Sequence, residues 1–240
     1  MQNNNQNGII SAIIIVGVLI AGAILLRGTT PTTNTGDEKI VDENKITKST
    51  PLFSTCLDSG KYTQAVADTT SAGSKNGVTG TPKGFILKDN KVVATIDGAE
   101  PTTTISQKIE NALSEKAKEI PNTKIDLITN SDFVLGNIDA RVAVILYADF
   151  QCIYCIKFFK ETKETIIKSY IQQGKIKFVH RDFAFLGNES IKSAEAARCA
   201  GDQGKFWEYH DYLYNYKNSE NQGNFSNLNL KLFAQKIGLK

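Results

Sequence analysis

A Cys-x-x-Cys motif, Cys152 to Cys155, stands between a strand pattern and a helix pattern, and this arrangement restricts the fold more than any other feature of the chain. Residues 142–147 form a continuous apolar run rich in β-branched side chains, which is typical of a strand buried on both faces. A helix pattern follows from about Cys152 to Gln173, and residues 176–179 predict a second strand. The sequence therefore predicts an α/β domain with a pair of thiols at the start of a helix.

The position of the two cysteines at a helix N-terminus suits thiol chemistry. Unpaired backbone N–H groups and the helix dipole stabilise an anion there, and they can lower the pKa of a thiol by several units. We expect Cys152 to be the exposed, reactive sulfur and Cys155, one turn later, to be the shielded resolving thiol. Two alternatives stay open, namely half of a zinc site, which would need two further ligands, and an inert structural disulfide.

The residues before this motif predict a smaller block of mixed structure. A helix is expected over 61–75, a hairpin with strands at 85–87 and 92–96, and a helix over 105–113. Thr81 and Pro82 directly precede the first hairpin strand, where a proline can begin a strand without losing a ladder hydrogen bond. From composition alone, Pro82 belongs to a plain turn. Three further helices are predicted at the end of the chain, over 189–200, 205–216 and 228–237.

Several single residues of chemical interest have structural interpretations. The aromatic side chains of 206–216 are expected to pack between helices, and His180 and His210 are expected to be structural. Asp149, three residues before Cys152, is interpreted as a capping or solvated residue, with proton relay to the buried thiol as the alternative.

The N-terminal part of the chain predicts a membrane anchor. After a polar segment at 1–8, residues 9–26 contain no charged side chain, and eighteen residues of helix span about 27 Å, close to the thickness of the hydrocarbon core. A cleaved signal peptide is the alternative. Residues 27–50 lack apolar periodicity and predict a flexible linker. Arg27 after the span weakly favours an N-terminus outside the cell, which conflicts with the orientation inferred below.

Composition excludes several classes of function. The net charge of +3 comes from Lys and Arg that are scattered among Asp and Glu, so no nucleic-acid partner is predicted. Four cysteines are too few for a small disulfide-framed protein, and two histidines offer little for a metal site. We predict no metal and no cofactor other than the cysteines themselves.

A set of motifs together resembles the DsbA-like branch of the thioredoxin superfamily. The resemblance implies a thioredoxin-like fold with an inserted helical subdomain, and it implies that Pro82 is the cis-proline of that family. Ile153 stands where the family often has proline, and the two residues between the cysteines tune the redox potential of the pair. The motifs cover nearly all of the chain after the linker, and they lie at 53–60, 77–82, 149–155, 181–183, 194–200 and 204–207.

The two halves of the resemblance stand in reversed order. Residues 51–120 match the C-terminal, cis-proline half of the family, and residues 131–240 match its N-terminal, CxxC half. The resemblance therefore implies one domain over 51–240 that is circularly permuted within the helical insertion. Residues 121–130 would then join the two ends that are the N- and C-termini in the usual order of the family. An intertwined dimer or a misassembled gene would give the same order.

The family also implies a function and further site residues. Cys152 and Cys155 would be catalytic, Thr81 and Pro82 would bind the substrate strand, and Cys56 with Cys199 would form a structural disulfide. The implied protein is a single-pass protein of the plasma membrane with its catalytic domain on the extracytoplasmic side. It would introduce disulfides into reduced exported proteins and would be reoxidised by a membrane redox partner. The alternatives are a reductase or isomerase on the same fold, and a non-catalytic binding module.

Overall fold

The computed structural model describes residues 42–216 and 220–240. Five strands in these ranges form one sheet, and helices pack on both of its faces. The strands are β1 (Lys83–Lys88), β2 (Lys91–Asp97), β3 (Phe133–Gly136), β4 (Val142–Ala148) and β5 (Ile176–Asp182). The helices are α1 (Glu43–Ser49), α2 (Pro51–Asp58), α3 (Thr63–Lys75), α4 (Thr102–Leu113), α5 (Ile153–Phe158), α6 (Glu164–Ile166), α7 (Asn188–Gly201), α8 (Phe206–Asn215) and α9 (Asn227–Lys236).

The sheet has the strand order β2-β1-β4-β5-β3, with β4 at its centre. All seven residues of β4 are buried, because its alternate side chains enter apolar clusters on opposite faces of the sheet. Strand β5 runs parallel to β4, with Val142 opposite Ile176 and Ala148 opposite Asp182. The strands predicted at 142–147 and 176–179 are both confirmed, and the structure pairs them as neighbours in the sheet.

The β1–β2 hairpin adds to the other side of β4. Its two turn residues, Asp89 and Asn90, both have positive φ, as a two-residue hairpin turn of this kind requires. Strand β1 runs antiparallel to β4, with Lys83 opposite Tyr147. This register brings the segment before β1, which contains Pro82, beside the residues that follow β4.

The long helix predicted after the CxxC motif is present but is not uniform. Helix α5 passes into a π-helical turn at Phe159–Lys163, then into α6, and then into a second π-helical turn at Ile167–Ile171. Insertions of this kind are frequent near functional sites. The remaining predicted helices are confirmed with ends shifted by one to three residues.

The flexible linker predicted over 27–50 is wrong for its last residues, because α1 forms there. The Asp42 side chain accepts hydrogen bonds from the first turn, and Ile46 is buried. Lys231 of α9, only 4% exposed, pairs with carboxylates of α1 and α2. A seven-residue helix with one buried side chain has no detectable apolar period, so the sequence did not predict α1. Residues 1–41, which include the predicted span at 9–26, lie outside the described residues.

The segment predicted as a joining linker, 121–130, contains neither helix nor strand in the structure. The Arg181 guanidinium at the end of β5 donates to the backbone carbonyls of Asp126 and Leu127, both at 2.9 Å. It also forms a two-point ion pair with Asp132, at 2.8 and 3.0 Å. The buried arginine thus attaches this segment to the sheet. Strand β3, which follows, was not predicted because it has only four residues at the sheet edge.

Candidate active site

Cys152 lies at the junction between the end of β4 and the start of α5. It occupies the N-cap position with extended backbone angles, and its carbonyl accepts the first helical hydrogen bond, from Ile156, at 2.9 Å. Cys155 lies in the first turn of α5 and is fully buried. The predicted exposure of Cys152 is wrong, since only 7% of its surface is accessible. Part of its surface is covered by the loop before β1, which the hairpin register brings to this point.

That loop contains the predicted substrate-binding residues. The Thr81–Pro82 peptide bond is cis, and the Thr81 carbonyl oxygen lies 3.4 Å from Cys152 Sγ. The Cys152 thiol, when protonated, donates to this oxygen. The structure therefore brings together Thr81, Pro82 and the two CxxC cysteines, which are about 70 residues apart in sequence.

The two thiols have opposite electrostatic environments. The pKa of Cys152 is lowered to about 6, and the largest cause is a hydrogen bond from the Cys155 thiol. Burial opposes this shift, but the thiol together with smaller contributions from the Thr81 side chain and from the N–H groups of Cys155 and Tyr154 outweighs it. Burial, together with the neighbouring Cys152 sulfur, raises the pKa of Cys155 well above its ordinary value. At neutral pH Cys152 is therefore largely a thiolate and Cys155 a thiol.

Asp149 shapes the loop that carries Cys152. Its buried carboxylate accepts from the backbone N–H of Gln151 at 2.8 Å and from the Ser190 hydroxyl at 2.7 Å. It also accepts from the N–H groups of Phe185 and Leu186, at 3.0 and 3.3 Å. Burial raises the pKa of Asp149, and these four donors oppose that shift. The carboxylate is a loop-capping group and is not solvated.

Three large apolar side chains stay exposed on segments that frame the thiol pair. Ile153 and Tyr154, between the cysteines, are 66% and 59% exposed, and Phe185 is 47% exposed. Phe185 was not predicted as a site residue, because it lies in a loop without apolar periodicity. Its backbone N–H donates to the Asp149 carboxylate, which connects its loop to the segment before Cys152.

Cys56 and Cys199 form a disulfide between α2 and α7, with their Cα atoms 5.8 Å apart. This is the pairing that the resemblance implies. The two sulfurs are consequently unavailable as the second half of a zinc site. Within residues 42–216 and 220–240, no group of three or more histidine, cysteine or acidic side chains is placed to hold a metal ion.

The match to a family model lies in the CxxC half of the chain. Residues 129–238 match the family model described as Thioredoxin. A Rickettsia typhi protein named as a protein-disulfide oxidoreductase is 32% identical over 102 residues, which cover 42% of this chain and 37% of that protein. A Bacillus cereus protein named as disulfide bond formation protein D is 27% identical over 137 residues, which cover 56% of this chain and 61% of that protein.

A solved structure, that of alpha-DsbA1 from Wolbachia pipientis, is similar with a TM-score of 0.43 and 28% identity, over 48% of this chain and 57% of that chain. The chain thus spans less than two thirds of the length of each of these relatives. The architecture is a mixed α/β thioredoxin-like fold with additional helices.

Proposed function

We propose that this chain, a DsbA-like member of the thioredoxin superfamily, is a thiol–disulfide oxidoreductase that acts through Cys152 and Cys155. The observation that carries this proposal is the contrast between the two thiols. The pKa of Cys152 is lowered to about 6, whereas burial holds the pKa of Cys155 well above its ordinary value. Cys152 is therefore suited to exchange with a substrate, and Cys155 is suited to re-form the Cys152–Cys155 disulfide.

The reaction follows from this asymmetry. In the oxidised protein, a substrate thiolate attacks Cys152 Sγ, a substrate–Cys152 disulfide forms, and the Cys152–Cys155 bond breaks with its electron pair left on Cys155. A second substrate thiolate then attacks the substrate sulfur and releases Cys152. The low pKa of Cys152 makes it a good leaving group in this second step, and this supports the oxidation of substrates as the direction of the reaction.

The Thr81–Pro82 loop would hold the substrate during this exchange. Because the Thr81 carbonyl lies against Cys152, an extended substrate chain that reaches the sulfur also passes the backbone of this loop. The exposed side chains of Ile153, Tyr154 and Phe185 offer apolar contact to an unfolded chain. Reduced exported proteins are the proposed substrates, and a membrane redox partner is the proposed oxidant for the reduced pair.

The proposal is tested by oxidation of a reduced two-cysteine model peptide by the full chain in its disulfide form. We expect stoichiometric oxidation, and we expect it to be lost in Cys152→Ser and unaffected by Ser59→Ala, which changes an exposed serine at the end of α2. If the wild type oxidises the peptide no faster than background and Cys152→Ser gives the same background rate, a non-catalytic binding module is supported instead.

The direction of exchange is tested by the reduction potential of the pair. A potential near about −120 mV would match a strong oxidant, whereas one near about −270 mV would favour the reductase or isomerase alternative.

We also propose that residues 9–26 anchor the protein in the plasma membrane with the catalytic domain outside. Disulfide formation needs an oxidising compartment, which supports this orientation. Within the described ranges, 42–216 and 220–240, no helix is long and apolar enough to cross a membrane. Protease added to intact spheroplasts should digest the domain and leave a short membrane-bound fragment. Full protection of the domain would contradict the proposed side.

The chain order is proposed to be a circular permutation that closes within one molecule. Two contacts support this view. The backbone N–H of Phe53 donates to the carbonyl of Lys240 at 2.7 Å. In the order of the family, the segment that begins near Phe53 would follow the CxxC half, and this hydrogen bond connects the two. Strand β1 of the first half also pairs along its whole length with β4 of the second. Sedimentation should give the mass of a monomer, and an obligate dimer would favour intertwined halves.

A further inference from the structure

A buried amide side chain, that of Gln151, lies directly before Cys152 and has no role in the mechanism above. Gln151 is only 1% exposed, although glutamine is usually a surface residue. Both polar ends of its side chain are hydrogen-bonded, and neither partner belongs to the segment that carries the cysteines. The residue before the reactive thiol is thus connected to two other parts of the chain.

The Gln151 amide joins the start of α7 to the loop that precedes α9. Its Nε2 donates to the Ser190 hydroxyl at 2.8 Å, and its Oε1 accepts from the backbone N–H of Asn221 at 2.6 Å. A longer contact runs from Nε2 to the Asn221 side-chain oxygen at 3.4 Å. Two segments that lie 39 and 70 residues further along the chain therefore meet at this one amide.

The loop before α9 is itself attached to the start of α7. The Glu189 carboxylate accepts from the backbone N–H groups of Gly223 and Phe225, at 2.6 and 2.7 Å. The Asn221 side chain donates to the carbonyl of Leu186 at 2.5 Å. The loop is therefore held in place by contacts that do not involve the glutamine, and it gives the glutamine side chain a fixed partner.

Gln151 is also part of the turn that presents Cys152. The Asp149 carboxylate accepts from the backbone N–H of Gln151 at 2.8 Å, and the Asp149 carbonyl accepts from the N–H of Cys152 at 3.1 Å. Ser190, which accepts from the Gln151 amide, also donates to the Asp149 carboxylate at 2.7 Å. One small network therefore fixes both the backbone and the side chain of the residue before the reactive sulfur.

The position of the Cys152 sulfur matters because its neighbours lie on separate segments. The N–H groups of Cys155 and Tyr154, in the first turn of α5, stabilise its thiolate. The Thr81 carbonyl lies 3.4 Å away, on the loop before β1. A hydrogen bond weakens steeply when its angle is distorted. Cys152 is the N-cap residue and lies outside the regular helix, so its sulfur keeps these contacts only if the turn before it is also held.

We propose that Gln151 is a positioning residue for the thiol–disulfide exchange, because it fixes the turn before Cys152 to α7 and to the loop before α9. This proposal rests on the proposed function. The Gln151 amide hydrogen-bonds to Ser190 and Asn221 and not to the sulfurs, so it acts through the backbone that it holds. The helices that pack beside the sheet thereby contribute to the reaction through a single side chain.

The test compares Gln151→Met with the wild type in the full, reduced chain, by the pH dependence of Cys152 alkylation with iodoacetamide. Methionine keeps the length of the side chain and removes its hydrogen bonds. We expect the midpoint to rise by about 0.5–1 pH unit, the size of one weakened hydrogen bond to the sulfur. Oxidation of the reduced model peptide should slow about two- to threefold, because Cys152 becomes a poorer leaving group.

Gln203→Met is the matched control, because Gln203 makes the same kind of two-point contact just after the other end of α7. Its Nε2 donates to the carbonyl of Lys240 at 2.9 Å, and its Oε1 accepts from the N–H of Lys240 at 2.8 Å. Both variants should lose stability in urea unfolding, since each loses two hydrogen bonds. A purely structural role of Gln151 would lower stability without moving the alkylation midpoint.

A second variant decides the question if Gln151→Met does not fold. Asn221→Gly removes the side-chain contacts of Asn221 with Gln151 and Leu186 but keeps its backbone N–H. Glycine suits this position, because φ at Asn221 is +51°. We expect a smaller rise of the midpoint in the same direction.

The outcomes separate this proposal from the proposed function. If the wild type has a low midpoint and the folded variant, Gln151→Met or in its place Asn221→Gly, has the same midpoint, the positioning role is refuted and the proposed function stands. The same conclusion holds if Gln203→Met moves the midpoint as much as Gln151→Met does. If the wild-type midpoint is that of an ordinary thiol, the proposed function itself loses its support.

Discussion

Replacement of Cys155 by alanine tests how the reactive thiolate of Cys152 is stabilised. The hydrogen bond from the Cys155 thiol is the largest cause of the lowered pKa of Cys152, about 6 against an ordinary value of 9.0. A hydrogen bond to a charged group contributes about 1.5–3 kcal/mol, and about 1.4 kcal/mol corresponds to one pKa unit. We therefore expect Cys155→Ala to raise the pKa of Cys152 by about 1–2 units, to about 7–8.

The assay is the rate of alkylation of Cys152 as a function of pH. At pH 7 the thiolate fraction should fall from about nine tenths in the wild type to between about one half and one tenth in Cys155→Ala. The midpoint is the decisive quantity, because a thiolate of lower pKa is also a weaker nucleophile and the absolute rates partly cancel. Cys155→Ser is the matched control, since its hydroxyl can still donate and the midpoint should rise less.

Two results would contradict this reasoning. A wild-type midpoint near about 8.5, as for a free cysteine, would show that the site does not stabilise the thiolate at all. A midpoint that is the same in wild type and Cys155→Ala would show that the helix N-terminus and Thr81 act without help from the second thiol.

The same ionisation links stability to pH. The folded pKa of Cys152 lies below that of the unfolded chain, so the thiolate stabilises the reduced protein above the unfolded value, and this stabilisation is lost as the pH falls towards about 6. Urea unfolding of the reduced protein, relative to the oxidised protein, should therefore show declining stability between about pH 9 and pH 6. A difference that is constant over this range would contradict the lowered pKa.

Three further predictions concern the scaffold. Cys56→Ala combined with Cys199→Ala, which removes the disulfide across 143 residues of chain, should lower the free energy of unfolding by about 2–5 kcal/mol in urea titration. Asp132→Asn should cost about 3–5 kcal/mol in the same assay, because it leaves the buried Arg181 guanidinium without its carboxylate. Gly201→Ala should lower stability by about 1–3 kcal/mol, since its Cβ would lie 2.4 Å from an aromatic carbon of β3.

Each of these changes has a control. The disulfide-free variant should alkylate at Cys152 like the wild type, and a change there would mean that the disulfide influences the site. Asp139→Asn, at an exposed aspartate, should be neutral, and an equal loss in both variants would exclude the ion pair as the cause. Gly80→Ala adds a Cβ that meets nothing within 4 Å, so it should be milder than Gly201→Ala.

The amino-acid sequence by itself determined the elements whose signals are contiguous. The central strands, the β1–β2 hairpin and helices α3, α4, α7, α8 and α9 all follow from the spacing of apolar residues within single segments. The same local information places Cys152 at the start of a helix, and therefore indicates the thiolate chemistry. The resemblance to the superfamily further implied the cis form of Pro82 and the pairing of Cys56 with Cys199, and the structure contains both.

Only the tertiary structure decided the features that depend on contacts between distant residues. The cover that the Thr81 loop gives to Cys152 arises from the register of β1 against β4, and no local pattern encodes it. Helix α1 and strand β3 are too short for a period and exist because other segments bury them. The burial of Tyr214 and His210 has the same origin, because burial is a property of packing and a helical aromatic pattern is identical whether its polar atoms face water or the protein interior.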